Sequence, residues 1–246
     1  MALQPWQTGI VTRIENATYN TRRFFIQVPA LQTFDFIPGQ FVTLDLPIHD
    51  KPNKRWRSYS IASWPDGSNI FELLIVQLPG GLGSTYLFEN ITEGSSLVLR
   101  GPQGVFNLPP VIDKDLFFIC TGTGIAPFRS MLHYIQLHNI PHQNIYLLFG
   151  TRTRQDLLYH QELMELQQHI TDFQYIPTLS RENWEGCCGY VHPVYENLIR
   201  QRQKDTGSLP PALFYLCGWK AMIDEAKQKI LELGYDRKAI HLELYG

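Results

Sequence analysis

The sequence predicts a two-domain protein in which an N-terminal antiparallel β-barrel is followed by an α/β domain built on a parallel, Rossmann-like sheet. Short runs of apolar and β-branched residues, separated by Pro, Gly, Asp and Asn, occupy the first part of the chain, as is typical of small barrels. Beyond residue 110 such runs alternate with amphipathic segments, which indicates βαβ units. Pro109 and Pro110 lie at this change, so we expect domains at residues 1–108 and 112–246.

Six strands and one helix are expected in the first domain. Turn signals such as Pro38-Gly39 and Pro65-Asp66-Gly67 separate the apolar runs. We place the strands at residues 9–14, 21–28, 40–46, 57–62, 70–78 and 95–100, and the helix at residues 84–90.

Four strands alternate with four helices in the predicted second domain. We place the strands at residues 116–120, 144–149, 173–178 and 212–216, and the helices at residues 127–138, 156–168, 193–203 and 220–233. Gly234 is expected to close the last helix as a C-cap residue. This alternation predicts a parallel sheet, which binds ligands at its carboxyl edge.

Composition is that of an ordinary globular protein. The chain has 246 residues, of which 44% are hydrophobic and 18% charged, and a net charge of −2 that gives no general reason to expect a nucleic-acid partner. The N-terminus lacks the basic and apolar segments of a signal peptide, and no apolar run approaches the roughly 18 residues that span a membrane. We expect a cytoplasmic monomer without membrane insertion.

The tetrapeptide Arg57-Ser58-Tyr59-Ser60 suits a flavin nucleotide. Taking the two-residue period of a strand, we expect the Arg57 guanidinium, the Tyr59 ring and the Ser60 hydroxyl to point to one face. Arginine binds a pyrophosphate through its planar fork, tyrosine stacks on a ring, and serine hydrogen-bonds a ring nitrogen.

A glycine-rich turn follows the first strand of the second domain. It reads Thr121-Gly122-Thr123-Gly124-Ile125-Ala126-Pro127 and leads into an amphipathic helix, where bare N–H groups and the helix dipole attract a phosphate. Together with the tetrapeptide, this turn indicates two nucleotides bound side by side.

With three further motifs, the chain resembles the ferredoxin–NADP⁺ reductase superfamily over nearly its whole length. These motifs are GxxS at residues 81–84, GPxG at residues 101–104 and CGxxxM at residues 217–222. The resemblance implies that FAD and NADP(H) are the cofactors and that hydride passes to flavin N5. It also implies that a separate ferredoxin or flavodoxin is the electron partner.

The resemblance also implies roles for residues around the flavin. Arg57 would bind the pyrophosphate, Tyr59 would lie against the ring, and Ser60 would reach N5. Backbone N–H groups and two hydroxyls at the start of the predicted helix would bind phosphate, and main-chain atoms of the fifth strand would line the ring edge. The remaining flavin contacts are expected at Ser58, Ile75, Val76, Gly81, Gly83, Ser84 and Thr85.

The chain ends in Glu243-Leu244-Tyr245-Gly246. Plant-type members of the superfamily end in a tyrosine that stacks on the flavin, with a glutamate two residues before it, and here one glycine follows the tyrosine. The resemblance therefore implies that Tyr245 covers the flavin face and that Glu243 belongs to the catalytic set with Ser60 and Cys217. The alternative is a terminal strand that only completes the sheet.

On the nicotinamide side, the resemblance places Cys217 beside the nicotinamide C4, where it would pack against and orient the ring. Hydride transfer needs no covalent intermediate, so we do not expect Cys217 to act as a nucleophile. The other contacts to the nicotinamide dinucleotide are expected at Thr121, Thr123, Gly124, Pro127, Gly218 and Met222.

Charge near the adenosine ribose should decide between NADP and NAD. An NAD site usually offers a carboxylate to the ribose 2′-hydroxyl. Here Arg152 follows the second parallel strand, and the first acidic residue after that strand is Asp156. Ser180 and Arg181 match the pair of residues that binds the 2′-phosphate in the family. Cys187 replaces an arginine that NADP-using bacterial relatives often carry after Gly186. We expect NADP(H), with NAD(H) as the alternative.

The cysteines and histidines form no metal-binding pattern, so no metal site is expected. Cys120, Cys187, Cys188 and Cys217 have neither CxxC spacing nor the spacing that holds a plant-type [2Fe–2S] cluster. Any iron–sulfur centre would therefore sit on a separate protein.

Three function classes remain open. The first is a diffusible flavin reductase, or a ferredoxin or flavodoxin reductase that uses FAD to pass electrons between NADP(H) and a one-electron protein. The second is an NADH-dependent reductase component of an oxygenase. The third is a non-catalytic flavin electron-transfer subunit, against which the presence of Ser60, Cys217 and Glu243 counts.

Overall fold

The computed structural model describes residues 4–245, and Gly246 lies outside the described residues. The chain divides into two compact units. Unit 1 runs to Asn107 and also includes Arg129–Tyr134, whereas unit 2 comprises Leu108–Phe128 and the chain from Ile135 onward. The short segment in unit 1 thus comes from within the second predicted domain. No helix within residues 4–245 is long and apolar enough to cross a membrane.

Unit 1 contains a six-stranded antiparallel sheet, as predicted. Its strands are β1 (Gln7–Thr18), β2 (Thr21–Gln27), β3 (Phe41–Asp45), β4 (Trp56–Ser60), β5 (Ile70–Val76) and β6 (Ser96–Gln103), and its helix α1 is Leu82–Glu89. The order is β4-β3-β6-β1-β2-β5, and a bridge between Ile61 and Leu73 links the two ends into a barrel. Each predicted strand is present, and α1 starts two residues earlier than expected.

A buried carboxylate lies inside this barrel unit. Glu72, 2% exposed, sits in the otherwise apolar strand β5. Arg23 donates to both of its carboxylate oxygens, at 2.8 and 2.9 Å. Arg129 Nη1 donates to Glu72 Oε2 at 3.1 Å and to Ala62 O at 2.9 Å. The sequence signal for this cluster is a single acid in an apolar run.

Replacing Glu72 by Gln should lower the free energy of unfolding of unit 1 by about 3 kcal/mol, because two guanidiniums then lose their anionic partner in a buried setting. Urea denaturation followed by tryptophan fluorescence measures this change. Glu15 is a matched control, since it pairs with Arg23 at 2.9 Å but is 38% exposed. Glu15→Gln should cost less than about 1 kcal/mol, and equal losses for the two variants would contradict the assignment.

Unit 2 contains a six-stranded parallel sheet. Its strands are β7 (Asp115–Thr121), β8 (Ile145–Thr151), β9 (Phe173–Leu179), β10 (Cys187–Cys188), β11 (Ala212–Trp219) and β12 (Ile240–Tyr245), in the order β10-β9-β8-β7-β11-β12. The helices are α2 (Ala126–Leu137), α3 (His160–His169), α4 (Val191–Thr206) and α5 (Lys220–Glu232). The parallel sheet and the four predicted strands are confirmed.

Two local features of unit 2 differ from the expectation. Helix α3 starts at His160, four residues late, because Arg154–Asp156 form a separate 3₁₀ turn and Tyr159 adopts a left-handed conformation with φ +53°. Strand β10 was not predicted, since two residues carry no periodic signal. Gly234, with φ +99°, follows α5 as expected for a residue that ends a helix.

Candidate functional site

In unit 1, Arg57 and the start of helix α1 lie together. Arg57 Nη1 donates to the carbonyl oxygens of Lys54 at 3.0 Å and Trp56 at 2.8 Å. The side chain of Arg57 rests on Gly83, where a Cβ would lie 2.9 Å from Arg57 Cγ and 3.1 Å from its Nε. No side chain caps α1 at Gly81. A fixed guanidinium thus stands beside the N–H groups of a helix N-terminus, an arrangement that suits a pyrophosphate.

The Ser84 hydroxyl stabilises the turn before α1, a role that the sequence did not reveal. It donates to Gly81 O at 3.1 Å and accepts from Leu78 N at 3.1 Å, which holds the turn before α1. In this arrangement its one proton is directed at Gly81 O. The expectation that two hydroxyls contact the phosphate stays a prediction. Thr85 lies in the first turn of the helix, where its N–H donates to Gly81 O.

The expectation that three side chains of the tetrapeptide share one face is wrong for Ser60. Arg57 and Tyr59 pair with Leu44 and Val42 of β3, and alternation along β4 places Ser58 and Ser60 on the other face. The Ser58 hydroxyl lies 3.0 Å from Thr43 Oγ1, and Ser60 is 3% exposed.

Tyr59 is a neutral phenol packed against the core of unit 1. Burial raises its pKa to about 12, although the nearby Arg57 acts in the opposite direction. At the end of β5, Ile75 is 2% exposed and belongs to the same core, whereas Val76 is half-buried. Because the Ile75 side chain lies in the core, only its main-chain atoms are available to line a ligand.

In unit 2, the glycine-rich turn and the Cys217-Gly218 pair are packed backbone to backbone. A Cβ on Gly124 would lie 2.4 Å from Cys217 O, and a Cβ on Gly218 would lie 2.4 Å from Thr121 Oγ1. Gly218 also has φ +139°, a conformation that favours glycine. The N–H of Trp219 donates to Thr121 Oγ1 at 3.3 Å. Two distant motifs therefore form one surface at the carboxyl edge of the sheet.

Cys217 lies in the centre of this edge as a protonated thiol. It pairs with Cys120 of β7 on one side and with Glu243 of β12 on the other. Burial raises its pKa well above the usual value, Glu243 and Cys120 add to this effect, and a contact from Tyr245 opposes it. A thiol held protonated in this way is a poor nucleophile. This property is consistent with a role in packing against the nicotinamide ring and orienting it.

The other residues predicted to contact the nicotinamide nucleotide differ in burial. Thr123 is half-buried in the 3₁₀ turn Gly122–Ile125, and Pro127 is buried in the first turn of α2. Met222 is 9% exposed and belongs to the hydrophobic core between β11 and its neighbours, where it packs against apolar side chains. The CGxxxM pattern thus brings its cysteine and glycine to the edge, and its methionine to the core.

Arg152, Ser180 and Arg181 meet at the carboxyl ends of β8 and β9. The N–H of Ser180 donates to Thr151 O at 3.0 Å and that of Arg181 to Arg152 O at 2.9 Å, so the two loops run side by side. The Ser180 hydroxyl donates to Thr151 O at 3.1 Å. Within residues 4–245, neither the Arg152 nor the Arg181 side chain forms an ion pair, although both are exposed.

Asp156, the first acid after β8, is engaged locally. Its Oδ2 accepts from Thr153 N at 2.9 Å and from Thr153 Oγ1 at 2.8 Å in a capping box. This oxygen of Asp156 is therefore engaged within the turn and not directed at a ribose hydroxyl. At the same end of the sheet, the guanidiniums of Arg152 and Arg181 have no carboxylate partner among the described residues.

These residues fit the two nucleotides on separate grounds. Arg57 and the uncapped start of α1 fit a flavin pyrophosphate. Gly124 and Gly218 bring the glycine-rich turn and the end of β11 into close contact, so backbone groups of both motifs meet at the carboxyl edge where parallel sheets bind ligands. Among the residues described, no three His, Cys, Asp or Glu side chains are grouped so that they could hold a metal ion.

Comparisons with known proteins agree with this division. Residues 8–108 match the model of the oxidoreductase FAD-binding domain, and residues 118–228 match the model of the oxidoreductase NAD-binding domain. Ferredoxin–NADP reductase B of Sorangium cellulosum is 37% identical over 217 residues, which cover 87% of this chain and 87% of that protein.

Other relatives differ in length and in the role their names give. The anthranilate 1,2-dioxygenase electron transfer component of Acinetobacter baylyi is 33% identical, and the alignment covers 89% of this chain but only 61% of that protein. A crystal structure of a ferredoxin–NADP⁺ reductase from Neisseria gonorrhoeae with bound FAD and NADP superposes with a TM-score of 0.78, at 25% identity over 97% of this chain and 98% of that one.

Proposed function

This chain belongs to the ferredoxin–NADP⁺ reductase superfamily, and from that premise we propose that it is an FAD-dependent oxidoreductase that moves electrons between NADP(H) and a separate ferredoxin or flavodoxin. The observation that carries the choice of NADP(H) is the adjacent pair Arg152 and Arg181, whose side chains have no carboxylate partner among the described residues. A phosphate on the ribose would supply the missing anion.

Each part of the chain then has a defined task. Arg57 and the start of α1 bind the flavin pyrophosphate. Gly124 and Gly218 allow the glycine-rich turn to pack against the end of β11, and the nicotinamide nucleotide binds at the edge that these two segments form. Cys217 remains protonated and orients the nicotinamide ring by packing. When bound, FAD supplies the ability to take a hydride from the nicotinamide and to release its electrons one at a time.

The catalytic set of Ser60, Cys217, Glu243 and Tyr245 is part of this proposal. Cys217 and Glu243 face each other on neighbouring strands, and Tyr245 follows in register with Trp219. Ser60 is buried at the end of β4, so a hydrogen bond from its hydroxyl to flavin N5 remains a prediction.

A second candidate is an NADH-dependent reductase component of an oxygenase system. It is favoured by Cys187, which stands where the family resemblance leads us to expect an arginine, and by the 33% identity to an oxygenase electron transfer component. Both candidates require a separate one-electron partner.

A coupled assay separates the candidates. FAD-loaded protein is mixed with equal concentrations of NADPH or NADH and with ferredoxin or flavodoxin, and carrier reduction is followed directly. We expect carrier reduction that needs FAD and is faster with NADPH. Faster reduction with NADH favours the oxygenase component, and nucleotide oxidation without any reduced carrier contradicts both candidates.

A further inference from the structure

Next to the two unpaired arginines lies a third one that is fully engaged. Arg154 Nε pairs with Glu182 Oε1 at 3.2 Å, and the backbone N–H of Arg154 donates to Glu182 Oε2 at 2.9 Å. Arg154 Nη2 also pairs with the Glu185 carboxylate, and the guanidinium lies 5.8 Å from the Trp184 ring. One guanidinium therefore pairs with two carboxylates and offsets one of their two negative charges.

The position of these carboxylates follows from the loop pairing. Ser180 N to Thr151 O, Arg181 N to Arg152 O and Arg154 N to Glu182 Oε2 form three successive links of 3.0, 2.9 and 2.9 Å between the loops after β8 and β9. Glu182 directly follows Arg181 and therefore stands at the end of the ladder that holds Arg152 and Arg181 together. An unneutralised carboxylate here would repel a phosphate bound between those arginines.

We propose that Arg154 sets the preference for a 2′-phosphorylated nucleotide by pairing with Glu182 and Glu185 and lowering their combined negative charge. Arg154 is a positioning residue, since its own guanidinium is occupied by the two carboxylates and leaves the phosphate to Arg152 and Arg181. Without Arg154, Glu182 would be an unpaired carboxylate next to Arg181 and would weaken the binding of a phosphate there. This inference rests on the proposed function and adds the residue that tunes its choice of nucleotide.

The test uses FAD-loaded protein and the Arg154→Gln variant. We expect KM for NADPH and the dissociation constant of 2′,5′-ADP to rise about tenfold, because the loss of one positive charge leaves both carboxylates unpaired near the phosphate. The kcat with NADPH should stay nearly constant, and kcat/KM for NADH should change by less than about twofold. Arg200→Gln is the control, since Arg200 forms a similar exposed pair with Glu196 on α4.

A charge-rescue variant distinguishes an electrostatic role of Arg154 from a purely structural role in holding the loop. In the triple variant R154Q/E182Q/E185Q the carboxylates are gone, so 2′,5′-ADP should bind nearly as tightly as to wild type. If Arg154 only fastens the loop, the triple variant will remain as weak as R154Q, which would overturn the proposal.

A second variant tests the proposal independently, in case R154Q does not fold. In E182Q/E185Q the Arg154 guanidinium is released as an additional cation, so 2′,5′-ADP should bind more tightly and with a steeper dependence on salt. Unchanged binding would overturn the proposal. A wild-type protein that does not distinguish NADPH from NADH would instead refute the NADP(H) part of the proposed function, which is a separate outcome.

Discussion

Replacing Arg181 by Ala is expected to lower kcat/KM for NADPH by about one to two decades, because a charge-assisted contact to a phosphate is worth about 1.5–3 kcal/mol. NADH lacks that phosphate, so its kcat/KM should stay within about a factor of two of wild type. The structural basis is the exposed Arg181 side chain, on a residue whose backbone N–H donates to Arg152 O at 2.9 Å and so holds the two backbones next to each other.

Steady-state reduction of a one-electron acceptor by each nucleotide measures this effect. Arg200→Ala, on the surface of α4, controls for the loss of one positive charge from unit 2. Arg181→Lys should recover part of the NADPH activity, since it keeps the charge but loses the planar fork. Equal losses for NADPH and NADH in Arg181→Ala would mean that Arg181 does not contact the 2′-phosphate.

Replacing Arg57 by Ala should weaken FAD binding by about one to two decades, through loss of a similar charge-assisted contact. FAD is expected rather than FMN because Arg57 and the start of α1 together form a pyrophosphate site, and FMN has no pyrophosphate. Titration of apoprotein with FAD, followed by flavin fluorescence, gives the dissociation constant. Unchanged FAD affinity would remove Arg57 from the flavin site.

Gly83→Ala is a useful companion to Arg57→Ala. The added Cβ would lie 2.9 Å from Arg57 Cγ, so the arginine stem must move while its charge is retained. We expect a smaller loss of FAD affinity than in Arg57→Ala and an unchanged affinity for 2′,5′-ADP. This pattern would show that the position of the guanidinium, and not only its charge, matters to the flavin.

The sequence was sufficient for features that depend on local periodicity. The six strands of the antiparallel sheet and the four main strands of the parallel sheet follow from alternating and continuous apolar runs, and the structure confirms them. The glycine motifs also pointed to the correct edge of the parallel sheet, because Gly124 and Gly218 are required where two backbones nearly touch.

Features set by the direction of a side chain or by pairing between distant segments could not be predicted in this way. The Ser84 hydroxyl turned out to hold the preceding turn, and Met222 joined the core, because a motif gives residue types but not the direction of a side chain. The network of Arg154 with Glu182 and Glu185 joins loops that follow different strands. Its three members are ordinary charged residues when the sequence is considered alone.

Anaerobic titration of the FAD-loaded protein with NADPH and, separately, with NADH tests the central claim most directly. We expect stoichiometric bleaching of the flavin absorbance by NADPH, at a rate clearly higher than with NADH, followed by recovery of the absorbance when oxidised ferredoxin or flavodoxin is added. A protein that cannot be loaded with FAD, or a bound flavin that neither nucleotide bleaches, would contradict the assignment of this chain as a nicotinamide-dependent flavin reductase.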